Sequence, residues 1–354
     1  MAKKTTKKKA ASKMQPVTNE QSDNDDFPIE SLEDVRKLFS SIGNRCRAMV
    51  QGRDDTIALV LIALLADGHV LLEDHPGSGK TTLAKALGES VKRTQADHYA
   101  PMRRVQFTPD LLPSDITGGM VFDTDSRQFE FRPGPIFANM VLADEINRTS
   151  PKVQAALLEA MAEKQITVDN DSHQLEDLFF VIATQNPVDL AGTYPLPRAQ
   201  LDRFLFKIKT TYLSKEHEME VLSKWKAARQ KPPTFSVAPE TIVTARNLVQ
   251  EEVRCSTTIH EVLADIAVKL RKDPRVELAI STRSLVLAIP ALQSRAMMHG
   301  RDYVSPKDVK ALAQPLFSHR MVLTPGCKDP DGVLEECVAP VIEAATRTTL
   351  TASA

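Results

Sequence analysis

One segment carries residue types that suit the binding of phosphate groups. Residues 71–87, LLEDHPGSGKTTLAKAL, pass from an apolar strand through a glycine-containing turn into a helix. Such a turn aims successive backbone N–H groups and the positive end of the helix dipole at one point, which favours an anion. Lys80 would contact the β- and γ-phosphates of ATP, and the Thr81 hydroxyl would ligate Mg²⁺. The residues expected to bind the nucleotide here are Pro76, Gly77, Ser78, Gly79, Lys80, Thr81 and Thr82.

The segment departs from the usual phosphate-binding pattern, GxxxxGK[ST], at one position. Asp74 stands where the pattern has its first glycine. Aspartate tolerates unusual backbone angles better than most residues. We therefore expect the turn to keep its shape.

A second group of polar side chains follows an apolar strand about sixty residues later. The strand MVLAD ends at Asp144, whose carboxylate would lie beside the water shell of Mg²⁺ and, with Thr81, hold the metal. The adjacent Glu145 can polarise an attacking water molecule. The next strand, in FFVIATQNP, is followed by Asn186, which can orient the same water. The sequence therefore predicts a site that hydrolyses a nucleotide.

The elements that position these residues form an α/β domain. Short, continuous apolar runs alternate with helical segments, a pattern typical of a parallel sheet covered on both faces. Five runs predict five strands, at residues 69–72, 103–107, 140–144, 178–184 and 203–208. Two further pieces, residues 120–131 and 164–177, have the pattern of hairpins, the second with DND as its turn.

A second domain follows the proline-rich segment KPPTFSVAPE, at residues 231–240. Strand patterns are absent after Lys209, and helical periodicity predicts five helices, at residues 242–253, 260–272, 282–299, 306–319 and 332–348. We therefore expect three parts in the chain. They are a disordered tail over residues 1–28, the α/β domain over 29–230 and a small all-helical domain over 231–354.

The composition limits the classes of protein to which the chain can belong. It has 354 residues, 42% of them hydrophobic, which suffices for about two domains with ordinary cores. The longest uncharged apolar stretch, residues 56–66, is well short of the ~20 residues of a membrane-spanning helix. The four cysteines and eight histidines show no metal-ligand or disulfide spacing. We expect a soluble, cytoplasmic protein.

Charge is distributed unevenly along the chain. Six lysines and no acidic residue lie within the first 13 positions, and they allow weak peripheral contact with an anionic membrane. Without them, 39 basic residues face 46 acidic ones, a net charge of −7. This balance disfavours nucleic acid as the main partner, because phosphate contacts require clustered lysine and arginine.

Longer strings resemble the MoxR group of AAA+ ATPases, a class of P-loop NTPase, from about Glu33 to Thr348. The strings are QFTPDLLPSDITG at 106–118, FRPGPIFANMVLADEINRTSPKVQAALLEAMAE at 131–163, FFVIATQNPVDLAGTYPLP at 179–197 and AQLDRFLFKI at 199–208. The resemblance implies an AAA+ core with a helical lid domain. It also implies a homo-oligomeric ring, usually a hexamer, with ATP bound between subunits.

The resemblance assigns roles to single residues. Lys80 and Thr81 match Walker A, Asp144 and Glu145 match Walker B, and Asn186 matches sensor 1. It also gives Arg203, in LDRF, the role of an arginine finger that acts on the neighbouring subunit's γ-phosphate, and Arg283 that of sensor 2. The hairpins around residues 122–131 and 166–175 would face the pore of the ring or a partner. The roles of Arg148, in EINR, and Arg198, where related sequences more often carry glutamate, stay open.

The function expected on this basis is that of a chaperone-like ATPase. Relatives of this group act in maturation, cofactor insertion or complex assembly, often with partners that carry von Willebrand factor A domains. A magnesium-chelatase-like motor subunit and a nucleic-acid translocase are the alternatives on the same scaffold. The hairpin MVFDTDSRQFEF has one arginine against three acidic residues, which disfavours the translocase. Client, pathway and ring size are left open.

Overall fold

The structure is a computed structural model that describes residues 27–73, 78–92, 99–186, 192–223 and 235–352. The predicted tail lies outside these residues except for its last two positions, and so does the predicted domain boundary at residue 230. The strands, in chain order, are β1 His69–Glu73, β2 Ala100–Gln106, β3 Gly118–Asp123, β4 Gln128–Pro133, β5 Ala138–Asp144, β6 Gln165–Val168, β7 Asp171–Gln174, β8 Phe180–Gln185, β9 Phe204–Lys209, β10 Val276–Leu278 and β11 Val322–Leu323.

Twelve helices accompany the strands in the described part of the chain. They are α1 Leu32–Met49, α2 Asp54–Leu65, α3 Lys80–Gly88, α4 Pro113–Thr117, α5 Pro151–Glu163, α6 Arg198–Leu201, α7 Lys215–Ser223, α8 Pro239–Glu252, α9 Thr257–Lys272, α10 Thr282–Met298, α11 Pro306–Phe317 and α12 Pro330–Ala352. None of these helices is both long and apolar enough to cross a membrane.

The five predicted strands form one parallel sheet, which confirms the α/β assignment. The strand order is β2-β5-β8-β1-β9. Every residue of β5 is buried, as expected for a strand covered on both faces. Because all five strands run in one direction, their carboxyl ends meet at a single edge, where ligands of open α/β sheets bind.

Both predicted hairpins are present. β3 pairs with β4, and β6 pairs with β7, each antiparallel. The turn between β6 and β7 consists of Asp169 and Asn170, whose φ angles of +50° and +72° lie in the left-handed region. Asn and Asp tolerate these angles, which two-residue hairpin turns of this kind require. The predicted DND turn is therefore confirmed.

The five helices predicted after the proline-rich segment correspond to α8–α12. The same region also holds a short antiparallel pair, β10 with β11, so the prediction of an all-helical domain was incomplete. Strands of three and two residues are too short to show an alternating pattern. Helices α1 and α2 pack against α8 and α10, and one apolar core therefore continues from the α/β domain into the helical one.

Candidate functional site

β1 ends at Glu73 and α3 begins at Lys80, at the carboxyl edge of the sheet. Gly79 precedes the helix with a φ of +93°, a left-handed conformation that glycine adopts at little cost. Lys80, Thr81 and Thr82 form the first turn of α3, where backbone N–H groups are not used within the helix. Ser78 is the fifth member of the predicted set that the structure describes. Positions 74–77, which include Asp74, Pro76 and Gly77, lie outside the described residues.

Two carboxylates stand at the end of β5, two strands away from β1. Thr184 on β8 donates its hydroxyl hydrogen to Asp144 Oδ1 at 2.7 Å and accepts the backbone N–H of Glu145 at 2.8 Å. Glu145 has a φ of +57°, a strained conformation for a residue with a side chain. Its backbone carbonyl accepts the N–H of Arg148 at 2.9 Å. These contacts hold both carboxylates at the tip of the sheet.

Two side chains of the neighbouring strand β2 contact the same carboxylates. Arg104 donates to Asp144 Oδ2 from Nη2 at 2.7 Å and from Nε at 3.2 Å. Gln106 donates to Glu145 Oε2 at 3.0 Å. The Nε atom of Arg148 lies 3.1 Å from the same Glu145 oxygen. The Walker B positions therefore lie within a network of charged and amide groups.

Ser78, Gly79 and the first turn of α3 line one cavity together with the carboxylates of Asp144 and Glu145. This cavity has a volume of about 410 Å³ and is called the phosphate-side cavity below. It brings together eight of the predicted site residues, which are Ser78, Gly79, Lys80, Thr81, Thr82, Asp144, Glu145 and Asn186. Three residues that the sequence analysis did not predict also line it: Arg104, Gln106 and Thr184. The cavity combines a helix N-terminus and cationic groups on one side with carboxylates on the other.

The two predicted catalytic arginines lie at the opposite edge of the sheet. Arg203 directly precedes β9, whose first residue pairs with His69, the first residue of β1. Since β1 has five residues, its two ends are about 13 Å apart. Arg203 and Arg283 instead line a second cavity of about 200 Å³ beside His69, and Arg203 Nη1 donates to the carbonyl oxygen of Leu158 at 2.6 Å. The structure therefore does not bring them to the phosphate-side cavity of their own chain.

The two arginines whose roles were left open have different surroundings. Arg148 contacts Glu145, as described above. Arg198, at the start of α6, donates to the carbonyl oxygen of Met321 in the helical domain. Burial lowers the pKa of Arg198. Arg198 therefore connects the two domains near Arg203.

Comparison with known proteins agrees with this arrangement. The model of the ATPase family associated with various cellular activities (AAA) matches residues 69–206, and that of the AAA lid domain matches residues 268–337. The chain is 45% identical over 323 residues to the uncharacterized protein YeaC of Bacillus subtilis, covering 91% of this chain and 98% of that protein. It is 37% identical over 291 residues to chaperone MoxR1 of Mycobacterium tuberculosis, covering 78% and 74%.

The chain belongs to the MoxR family of AAA+ ATPases. A solved structure of a candidate ATPase from Cytophaga hutchinsonii superimposes with a TM-score of 0.77 at 31% identity, covering 87% of this chain and 95% of that one. The predicted family and fold, an AAA core followed by a lid domain, are thus confirmed.

The residues present at the phosphate-side cavity fit a magnesium–nucleotide complex. Thr81, Asp144 and Glu145 offer the oxygen ligands that Mg²⁺ prefers. Lys80 and the α3 N-terminus match the charge of phosphate groups. A second, narrow cleft adjoins the same turn and is lined by Val50, Arg53, Thr56, Leu72, Ser78, Gly79, Lys80, Leu83 and Thr210. It extends the site toward the start of α2.

Arg104 and Gln106, which were not predicted, share a pattern that becomes informative only once the strand order is known. Arg104 and Gln106 are two positions apart on a strand, so that their side chains share one face. Gln106 is in register with Asp144. Finding them from the sequence requires knowledge that β2 is the neighbour of β5, which a single sequence does not provide.

Proposed function

We propose that the protein is a cytoplasmic, Mg²⁺-dependent ATPase whose hydrolysis cycle remodels or matures partner proteins. The observation that carries the proposal is the cavity that collects Lys80, Thr81, Asp144, Glu145 and Asn186 at the carboxyl edge of the sheet. Membership of the MoxR family supports ATPase activity. The name of the relative chaperone MoxR1 supports an action on other proteins.

Each residue of the cavity has a distinct task in this proposal. Lys80 and the backbone N–H groups of α3 bind the β- and γ-phosphates. Thr81 and Asp144 hold Mg²⁺, which when bound neutralises charge on the phosphate oxygens. Glu145 accepts a proton from the attacking water, and Asn186 orients that water.

The positions of Arg203 and Arg283 support a site shared between subunits. Both lie about one strand length from the phosphate-side cavity of their own chain. In a head-to-tail ring, each interface joins one surface of a subunit to a different surface of its neighbour. Both arginines would then stabilise the transferring phosphoryl group of the adjacent subunit. We propose a hexameric ring, in keeping with the general tendency of AAA+ proteins to form rings.

The β3–β4 hairpin is the proposed surface for partner proteins. Phe122 and Phe129 face each other across the two strands with ring centroids 5.3 Å apart, and Phe129 is 66% exposed. Val121 is also exposed. Exposed aromatic pairs are typical of protein–protein contacts. The proposed partners are protein clients or proteins with von Willebrand factor A domains.

Two substitutions test the assignment of the phosphate-side cavity. Lys80→Ala is expected to abolish nucleotide binding, because the phosphates lose their cationic partner. Glu145→Gln is expected to keep ATP binding and lose hydrolysis, because only the proton acceptor is removed. Binding by fluorescence and phosphate release would be measured for both, with Lys85→Ala, on the same helix but outside the cavity, as the control. Equal loss of binding in both variants would contradict the division of roles.

The remodelling role requires a separate test. The Glu145→Gln variant is expected to retain a partner with ATP and to release it with ADP, because hydrolysis normally ends the bound state. Adding Phe129→Ser should remove this capture while leaving ATP binding unchanged. Capture that is indifferent to the nucleotide would argue against an ATP-driven action on partners.

A further inference from the structure

Arg104 occupies one oxygen, Oδ2, of the aspartate at the Walker B position. Its guanidinium places two donors on Asp144 Oδ2, at 2.7 and 3.2 Å. The other oxygen, Oδ1, accepts the hydroxyl of Thr184 at 2.7 Å. A carboxylate oxygen has about two acceptor positions, so Oδ2 is fully used by Arg104. The aspartate carboxylate is 11% exposed, which leaves little room for a further donor.

This arrangement limits the capacity of Asp144 for the task proposed for it. To hold Mg²⁺, directly or through a metal-bound water, Asp144 needs a free acceptor position that faces the cavity. Thr184, which also accepts the backbone N–H of Glu145, takes one of the two acceptor positions of Oδ1, whereas Arg104 takes both positions of Oδ2. Oδ2 becomes available only when Arg104 withdraws at least one donor.

We infer that Arg104 competes with Mg²⁺ for Asp144, and thereby sets the Mg²⁺ concentration at which the protein holds a nucleotide. The inference rests on the proposed function, since it concerns the same magnesium–nucleotide site. A guanidinium and Mg²⁺ are both cations drawn to one carboxylate, and their mutual repulsion disfavours occupation by the two at once. Arg104 is thus a positioning residue that acts on metal binding through Asp144.

Arg104 can move away from Asp144 and still keep one hydrogen-bond partner. Its side chain is 49% exposed, so it can move into the cavity. Its Nη2 group also donates to Gln106 Oε1 at 3.0 Å, and Gln106 in turn contacts Glu145. Withdrawal from Oδ2 therefore keeps Arg104 attached to its own strand.

A different role for Arg104 makes a different prediction. If its main task were to bind a phosphate group, replacing it would weaken nucleotide binding whether or not a metal is present. A competitor of Mg²⁺ affects only the metal-dependent part of binding. The two roles are therefore separated by measuring affinity with EDTA and with increasing Mg²⁺.

The experiment uses the full chain and a fluorescent ADP analogue, which avoids turnover. Nucleotide affinity is measured in EDTA and along a Mg²⁺ titration for the wild type, Arg104→Gln and Arg104→Lys. The matched control is Arg103→Gln, because Arg103 is the adjacent residue on β2 and does not line the cavity. Thermal unfolding of each variant checks that the fold is intact.

Arg104→Gln is expected to lower the half-saturating Mg²⁺ concentration about tenfold, with the affinity in EDTA unchanged. Arg104→Lys, which keeps the charge but offers one compact donor group, should lie between the two, and Arg103→Gln should match the wild type. An unchanged Mg²⁺ requirement, or a weaker affinity in EDTA, would overturn the inference alone. Failure of the wild type to bind ADP under any condition would overturn the proposed function and this inference together.

Discussion

Arg203 lies at the other end of the sheet from the phosphate-side cavity of its own chain. This position leads to a quantitative prediction for rings assembled from two different variants. If each site combines Glu145 of one subunit with Arg203 of the next, either Arg203→Ala or Glu145→Gln alone inactivates every site. Arginine fingers contribute about 10³-fold or more to the rate, and a general base contributes about 10²- to 10⁴-fold, so each pure variant should keep about a thousandth of wild-type activity. The two defects, however, lie on opposite sides of an interface.

The recovery on mixing follows from counting interfaces. A site is competent when the subunit that holds ATP is the Arg203→Ala chain and its neighbour is the Glu145→Gln chain. When equal amounts of the two variants assemble at random, the ATP-holding subunit is the Arg203→Ala chain in about half of the sites. Its neighbour is the Glu145→Gln chain in about half of those, so about a quarter of all sites are restored. Activity should therefore rise from about a thousandth to about a quarter of the wild type, and should fall on either side of the equal mixture.

The assay is steady-state phosphate release after subunit exchange, with exchange verified by native mass spectrometry. A mixture of Glu145→Gln with Lys80→Ala is the matched control. Both of those defects lie on the ATP-holding side, so no arrangement of the two chains restores a site and activity should stay low. If the Arg203→Ala and Glu145→Gln mixture remains as inactive as the control although both variants assemble and bind ATP, Arg203 does not act across the interface.

Three further perturbations test parts of the chain outside the phosphate-side cavity. Arg246→Ala should lower the free energy of unfolding by about 3 kcal/mol, because its buried guanidinium binds Asp67 at 2.6 Å and the Leu64 carbonyl at 2.8 Å. Arg254→Ala, at an exposed ion pair, should change the free energy of unfolding, measured by urea titration, by less than about 1 kcal/mol. Burial lowers the pKa of His69 to about 4, so the unfolded chain binds a proton between pH 6.5 and 4 that the folded chain does not. Stability should fall by up to about 3 kcal/mol as the pH drops through that range, and His69→Gln should remove this loss in pH-dependent urea titrations. Deleting residues 1–26 should leave phosphate release near the full-length rate, because their composition supplies no core; loss of more than half the rate would contradict this.

The sheet and most of its site could be predicted from the sequence because each depends on local pattern. Continuous apolar runs such as MVLAD indicate a buried parallel strand and end at the carboxylates of Asp144 and Glu145. Parallel strands bring their carboxyl ends to one edge, which is why Lys80 and Asn186 could be expected beside these residues. The structure adds the register that joins them in one cavity.

The contacts that the sequence did not indicate all depend on strand or domain neighbours. Arg104 is followed by an apolar residue and a glutamine on an edge strand, a context that equally suits a solvent-exposed arginine. Thr184 lies within an apolar strand, where a threonine has high β propensity and needs no special role. Arg198 finds its partner more than a hundred residues later, at Met321. No pattern within a single segment encodes such pairings.

The turn that carries Arg203 is attached to the helical domain of the same chain by buried polar groups. Arg320 pairs with Asp202 at 3.1 Å and donates to the Phe204 carbonyl at 2.9 Å, and burial lowers its pKa to about 10. Ser284 donates to the same Asp202 carboxylate at 3.3 Å. Since Arg283 directly precedes Ser284 on α10, Asp202 connects the turn with Arg203 to the helix with Arg283. Within a chain these contacts therefore hold Arg203 and Arg283 in a fixed relative position. We expect ATP-dependent movement to occur between subunits and not between these two arginines.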